Sequence, residues 1–261
     1  MSRVIVSREK LVAVADAIRT KGATTNTLTL DEMPEAIANM EGSGTGSGVA
    51  DTRFKELVEG TVTQVEDGTI VKVRDYAFYS VDGLSKAYFP NATSFAGYAF
   101  YDCQKLTEIS RENLKTIGTY VFYNCIIMTD GSFPHVTSVG TYSFRQCRKI
   151  VTLSFPSLVS TGNYAFSRCS ALVKADLGLV SSLAANLFAE DSLLATVILR
   201  KSDSIASLAA TSAFSGTGIA KGTGYVYVPK DLVDTYKSAT NWSTYANQFR
   251  AIEDYPEITG G

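Results

Sequence analysis

The sequence predicts a mainly β solenoid: a right-handed stack of about six to seven coils, with a small α-rich module before it and a helical cap after it. Three observations lead to this fold class. The phrase YAFYDC at 98–103 returns at one constant interval as YVFYNC at 120–125, YSFRQC at 142–147 and YAFSRC at 164–169. Large apolar residues return at the same positions of each unit. One unit has too few of them to bury a core, so neighbouring units must stack.

A tyrosine opens each phrase and fixes the register of the repeat. It stands at Tyr76, Tyr98, Tyr120, Tyr142 and Tyr164, and Asn186 continues the same interval. A degenerate further copy, SAF beginning at Ser212, follows at a longer interval. We therefore expect a regular stack that loses its strict period near its carboxy-terminal end.

Phenylalanine stands two positions after the opening residue of each phrase and forms the first predicted core column. The members of this column are Phe78, Phe100, Phe122, Phe144, Phe166, Phe188 and Phe214. A large aliphatic residue or methionine follows in a second column at Leu84, Leu106, Met128, Ile150, Leu172 and Leu194. The segment IVTLSF at 150–155 then alternates apolar and polar residues, as a strand does. The pattern predicts one short parallel strand per coil.

The four cysteines, Cys103, Cys125, Cys147 and Cys169, share one position of the repeat and should also stack. A metal site needs ligands that converge on one point, whereas a straight column does not converge. Val81 occupies this position in the first coil, which a core position tolerates and a ligand position does not. We interpret the column as reduced, buried thiols that act as small hydrophobic groups.

Tyrosines form two rows that are candidates for a binding surface. One row is the series of opening residues, and the second, partial row is Tyr79, Tyr101 and Tyr123. Aromatic rings with polar tips suit both sugar stacking and protein interfaces. Half-buried tyrosines that merely cover the convex side of the coils are the structural alternative, and the sequence leaves both interpretations open.

The sequence offers no arrangement that predicts an enzyme, a cofactor or a metal site. The only histidine, His135, stands in FPHVTS at a predicted turn. Glu108 and Asp130 share one outward column, but that column reads Lys86, Glu108, Asp130, Thr152, Lys174 and Thr196. Mixed charges of this kind indicate a solvated strand face rather than a pair of catalytic carboxylates.

Composition and charge exclude further classes of function. The formal net charge is −2, which does not favour nucleic acid or an anionic membrane as a partner. No apolar run is long enough to span a membrane, and the start MSRVIVSREK lacks the apolar region of a signal peptide. We therefore expect a chain made in the cytoplasm and not inserted into a membrane.

Outside the repeats, the chain divides into short segments. We predict an amino-terminal docking module at 1–40, a Gly/Ser linker at 41–50, a cap at 51–69, repeats at 70–220, and a strand-helix cap at 221–261. The module has an apolar helical stripe, and its candidate docking residues are Leu11, Val14, Ile18 and Ile37. Tyr225–Val228 reads as the last strand, with short helices around Leu232–Tyr236 and Tyr245–Phe249.

IGTYVFYNC and VGTYSFRQC, with the aliphatic column and the FP dipeptides that follow, resemble the BspA-like class of leucine-rich repeats over residues 70–220. The segment LVAVADAIRTKGATTNTLTLDEMPEAI is similar to an amino-terminal segment of structural proteins of tailed phages and prophages. Together the two resemblances imply a non-enzymatic protein on the virion surface, made in the host bacterial cytoplasm, most simply a tail or baseplate component.

The phage resemblance also implies partners. Residues 1–40 would bind other virion proteins, the repeats would contact a glycan or protein of the host cell surface, and the chain would form a homo-oligomer. A head fibre or capsid decoration protein remains an alternative, as does a bacterial adhesin or interaction protein with the same repeats. A carbohydrate-active enzyme would need a convergent acid pair, which the sequence does not show.

Overall fold

The computed structural model describes residues 62–259, a stack of short strands joined by tight turns. The strands are β1 (Gln64–Glu66), β2 (Lys72–Val73), β3 (Lys86–Tyr88), β4 (Ser94–Phe95), β5 (Glu108–Ile109), β6 (Thr116–Ile117), β7 (Ser138–Val139), β8 (Thr152–Ser154), β9 (Ser160–Thr161), β10 (Lys174–Asp176), β11 (Ser182–Leu183), β12 (Thr196–Ile198), β13 (Ser207–Leu208), β14 (Tyr225–Val228) and β15 (Phe249–Ala251). The α-helices are α1 (Val233–Ser238) and α2 (Pro256–Thr259), and 3-10 turns cover Thr211–Phe214, Lys230–Leu232, Trp242–Gln248 and Ile252–Asp254.

The amino-terminal module, the linker and the first part of the predicted cap lie outside the described residues. The candidate docking residues Leu11, Val14, Ile18 and Ile37 therefore lie outside them as well.

Most coils contribute two strands, not the single strand that the sequence pattern predicts. One face of the stack carries a three-stranded sheet (β1-β3-β5) and a five-stranded sheet (β8-β10-β12-β14-β15), and the other carries a continuous seven-stranded sheet. All the strand pairs are parallel, and each residue pairs with its equivalent in the neighbouring repeat, as Lys174 does with Thr152 and Thr196. The second strand escaped prediction because it is only two residues long, too short to show alternation.

The phenylalanine column forms the centre of the core. Each of its members is at most 1 % exposed, and the ring centroids of successive members lie 5.1–5.9 Å apart. Burying one such side chain stabilises the fold by roughly 1.5–3 kcal/mol. The stack is thus held by a column of like residues that belongs to no single coil.

One coil interrupts the first face. Where other coils have a strand, this coil has Asp130, Gly131 and Ser132, and only Ser132 bridges to Ser154. The Asp130 carboxylate accepts the Ser132 N–H at 2.9 Å, which is a local turn that competes with strand pairing. A Cβ at Gly131 would lie 2.3 Å from the Thr152 carbonyl oxygen. This break separates the three-stranded sheet from the five-stranded one.

The carboxy-terminal segment closes the end of the stack. β14 has the predicted bounds, and β15 pairs with it in parallel, although the sequence placed Phe249 in a helix. Trp242 is buried, lies 5.8 Å from the Phe214 ring, and donates its indole N–H to the Ala206 carbonyl at 2.7 Å. Trp242 therefore covers the last phenylalanine of the column, and β15 pairs with β14 at the end of the five-stranded sheet.

The cysteine column is buried and reduced in the structure. Each thiol donates to a backbone carbonyl oxygen of the preceding coil, from Cys103 to Phe78 at 3.0 Å through Cys169 to Phe144 at 3.2 Å. Burial raises the pKa of the Cys103 thiol to about 12 and raises the pKa of Cys125, Cys147 and Cys169 well above the ordinary value. These thiols stay protonated and unreactive at neutral pH.

Asp191 continues the cysteine column in the next coil. It is fully buried, and its Oδ1 accepts the Cys169 N–H at 2.7 Å. Its Oδ2 is buried and has no hydrogen-bond partner among residues 62–259. Burial raises the pKa of this carboxyl well above its usual range. The position therefore carries an acid where the fold favours a thiol.

We expect Asp191→Cys to raise the free energy of unfolding by about 1–3 kcal/mol at neutral pH, because it removes the buried Oδ2 atom, which has no hydrogen-bond partner. The folded pKa is raised, so the aspartate's contribution is fully favourable only below the unfolded value near 4 and is lost as pH rises through the folded pKa. The gain from the substitution should thus grow between pH ~4 and pH ~7. Urea unfolding of both proteins at the two pH values measures this, and an equal gain at both would contradict it.

Candidate interaction surface

The tyrosine face consists of the two rows that the sequence analysis singled out, and the structure brings them together on one side of the stack. The first row is Tyr76, Tyr98, Tyr120, Tyr142 and Tyr164, with successive ring centroids 4.8–4.9 Å apart and planes within 21° of parallel. The second row is Tyr79, Tyr101 and Tyr123, with spacings of 4.8 and 4.9 Å. The rings repeat at the spacing of the coils themselves.

The backbone holds the first row in an unusual conformation. Each tyrosine in it has a φ of 57–59°, in the left-handed region that favours glycine and asparagine. In the next coil Asn186 takes this position with a φ of 56°. A left-handed residue other than glycine costs about 1–2 kcal/mol, and stacking of neighbouring rings offsets part of it. Tyrosine is thus placed here against the local backbone preference.

The exposure of the tyrosines agrees in part with each interpretation of the sequence, a binding surface and a half-buried cover of the coils. Tyr76 and Tyr79 at the amino-terminal end are 57 % and 46 % exposed, and the other tyrosines are half-buried. In the interior of a row each ring face is covered by its neighbours, so the exposed parts there are ring edges and hydroxyl groups. Sugar stacking needs a free ring face, which the interior of the rows does not offer. The geometry therefore favours a protein contact over a glycan.

Two phenols of the rows, those of Tyr101 and Tyr120, remain neutral hydrogen-bonding groups at physiological pH. Partial burial, followed by the neighbouring tyrosines, raises the pKa of Tyr101 and of Tyr120 above the ordinary value. Each hydroxyl can therefore both donate and accept a hydrogen bond to a partner.

A polar row runs beside the tyrosines and was missed by the sequence analysis. Its members also have left-handed backbone, with φ of 54–70°: Ser80, Asp102, Asn124, Gln146, Arg168 and Glu190. Asn124 donates to the Asp102 carboxylate at 2.5 Å, and Gln146 donates to the Tyr123 hydroxyl at 3.0 Å. The signal was present, because a polar residue directly precedes the cysteine in each of the quoted phrases.

Charge is distributed along this polar row. Asp102 lies in the second coil, and Arg168 lies in the fifth, where it pairs with Glu190 at 2.9 Å. Over the four central coils the row thus carries an acid in the second coil and a base in the fifth, and the acid that pairs with this base, Glu190, follows in the sixth coil.

Arginine replaces tyrosine where the second row reaches the fourth coil. The guanidinium carbon of Arg145 lies 5.4 Å from the ring centroids of both Tyr142 and Tyr164. It also donates to the Ser167 hydroxyl at 3.1 Å. The cation is therefore fixed against the aromatic surface rather than extended into solvent.

An open groove of about 470 Å³ lies over β1, β3 and β5, beside the break in the first face. Two of the carboxylates that line it form ion pairs: Glu108 with Lys86 at 2.6 Å, and Asp130 with Arg111. Acid or base catalysis needs a carboxyl that is free to contact a substrate, and these ion pairs occupy both groups. His135 is exposed at its turn, away from the residues that line the groove.

Residues 62–259 contain neither a cluster of metal ligands nor a helix that could span a membrane. No group of three or more histidine, cysteine, aspartate or glutamate residues in this range could hold a metal ion. In the same range, no helix has both the length and the apolar character needed to cross a lipid bilayer.

Comparison with known families and structures gives consistent results. The family model described as BspA type leucine-rich repeat region matches in six copies, over residues 54–135, 71–195 and 115–232. Comparison with curated protein sequences gives no match.

Among solved structures, a leucine-rich repeat protein of T. pallidum is similar at 24 % identity and a TM-score of 0.50, over 56 % of this chain and 70 % of that one. A leucine-rich repeat protein of Bacteroides ovatus is similar at 20 % identity and a TM-score of 0.49, over 74 % of this chain and 55 % of that one. At this level of identity the first of these likenesses supports the fold alone.

Proposed function

Since this chain belongs to the BspA-type leucine-rich repeat family, we propose that it is a non-catalytic interaction protein that presents the tyrosine face to a protein partner. The observation that carries the proposal is the first tyrosine row, which occupies left-handed backbone positions where asparagine or glycine would be more stable. The tyrosines of the rows lie outside the buried hydrophobic core, which contains the phenylalanine column. Their exposed edges are thus available to a partner.

We place this protein on the virion surface, where residues 1–40 dock on other virion proteins and the stack projects as a tail or baseplate component for host adsorption. The amino-terminal sequence resemblance supports this setting. Many copies on one particle would multiply weak single contacts. A head fibre is the alternative on the same particle, and a bacterial adhesin is the alternative that the repeat family itself supports. Mass spectrometry of purified particles tests the setting, and absence of the chain from them would defeat it.

Removing two rings from the middle of the tyrosine face tests the recognition itself. We expect Tyr101→Ala/Tyr123→Ala to weaken binding of the full chain to cell-envelope fractions of the host bacterium at least tenfold, because aromatic anchors dominate such contacts. Tyr88→Ala is the matched control, since Tyr88 is 45 % exposed but lies on strand β3 away from the rows. Protease treatment of the envelope should abolish binding, and glycosidase treatment should not. Equal binding by the double variant and the control would contradict the proposal.

A further inference from the structure

The four central coils of the tyrosine face can be paired with the same four coils of a second copy. In the four central coils the first row is occupied by Tyr98, Tyr120, Tyr142 and Tyr164. A two-fold axis across the stack, between Tyr120 and Tyr142, exchanges the outer pair and the inner pair of this set. A second copy turned about that axis would present four tyrosines at the same 4.8–4.9 Å spacing. The two rows would match because both have the period of the same coil.

In the same four coils, this axis brings oppositely charged members of the polar row together. The axis brings the second coil of one copy against the fifth coil of the other, so Asp102 meets Arg168 of the second copy, twice. It also brings Asn124 against Gln146, two amides that can pair. In the second tyrosine row, Tyr123 meets Arg145, whose guanidinium can donate a hydrogen bond to the phenol oxygen. The face is therefore complementary to itself in the antiparallel direction.

Resting on the proposed function, which makes the tyrosine face a protein-binding surface, we propose that this face also binds a second copy of this chain, paired antiparallel about this axis. A parallel pair would place the two Asp102 carboxylates in one layer and the two Arg168 guanidiniums in another, which brings like charges together. Both side chains have a partner within the chain, but the Arg168 side chain keeps 45 % exposure and is open to a further contact.

The geometry also bears on where such pairs form. Antiparallel copies direct their first coils, which begin at residue 62, to opposite ends of the pair. The chain segments that lead into the two stacks thus enter the pair at opposite ends. The face spans only a few coils, so each contact is weak and concentration-dependent.

Sedimentation velocity of the full chain over a range of concentrations tests the pairing by charge exchange. We expect Asp102→Arg alone and Arg168→Asp alone to weaken self-association at least tenfold, and the double exchange to restore it. Lys115→Glu reverses an exposed charge before β6, off this face, and should leave self-association unchanged. A wild-type chain that stays monomeric at millimolar concentration, or a double exchange that restores nothing, would overturn the proposal.

A thiol pair tests the register independently. Asp102 and Arg168 are three coils apart in one chain, about 14 Å, which is too far for a disulfide. The double variant Asp102→Cys/Arg168→Cys should therefore form a covalent dimer on oxidation, and each single variant should not. The native cysteines do not interfere, because they are buried. Dimers formed equally by the single variants would refute the antiparallel register.

The two proposals fail separately. If the chain remains monomeric but Tyr101→Ala/Tyr123→Ala loses envelope binding, the second copy is the wrong partner and the interaction face stands. If neither self-association nor envelope binding responds to this double variant, the interaction face itself is wrong.

Discussion

Phe144→Asp is expected to unfold the middle of the stack. Phe144 is fully buried, and its ring centroid lies 5.1–5.8 Å from those of Phe122, Phe133, Phe155 and Phe166. The substitution removes this packing, which is worth about 3–5 kcal/mol, and adds a buried carboxylate without a partner. The total loss reaches or exceeds about 5 kcal/mol, which is comparable with the whole stability of many domains.

Phe144→Leu is the matched control for this prediction, because it changes shape without adding charge and should cost less than about 2 kcal/mol. Thermal unfolding followed by circular dichroism compares the two variants. An aspartate variant that melts at the wild-type temperature would show that the phenylalanine column does not hold the stack together.

The regular part of the fold could be predicted because each coil repeats the same physical problem. The constant interval of the repeat places Phe122 over Phe100 and Cys125 over Cys103, so a column in the sequence becomes a column in space. Departures from the period could not be placed as well. The pattern gave no sign that Gly131 would break a sheet, since this depends on its close approach to the Thr152 carbonyl.

The candidate site was predicted in its residues but not in its geometry. Tyr98 and Tyr120 were identified as members of a row, yet their left-handed backbone and face-to-face rings follow from the turn that the coil makes there. The sequence left a sugar and a protein both open as ligands, and those two features favour the protein. The polar row at Asp102 and Arg168 was missed because its residue type varies from coil to coil, whereas the residues of the other columns are nearly identical in every coil.

Asp191 is another residue whose position in the repeat could be predicted from the sequence, but whose interactions could not. Its place in the cysteine column can be read from the sequence, five positions after Asn186. That the column is a series of thiol-to-carbonyl hydrogen bonds can be seen only in the structure, as from Cys147 to the Phe122 carbonyl at 3.1 Å. The effect of an acid at this position on the free energy of unfolding depends on these hydrogen bonds.

Gly178→Ala is expected to cost about 3 kcal/mol or more, the second-largest effect of a single substitution considered for this chain. Gly178 has a φ of +53°, and a Cβ there would lie 2.1 Å from the Pro156 carbonyl oxygen of the preceding coil. The neighbouring backbone cannot yield easily, because the Gly178 carbonyl accepts the Arg200 N–H at 2.8 Å in the following coil. An added methyl group must therefore push two coils apart.

Gly222→Ala separates this steric effect from backbone strain. Gly222 also has a positive φ, of +78°, but the nearest atom to a Cβ there is the Gln248 side-chain nitrogen at 3.7 Å. Its substitution should cost only the left-handed strain, about 1 kcal/mol. Urea unfolding of the two variants under the same conditions gives the comparison. Equal losses would mean that contact between successive coils at Gly178 is not close, and that the stack has more room between its layers than its hydrogen bonds imply.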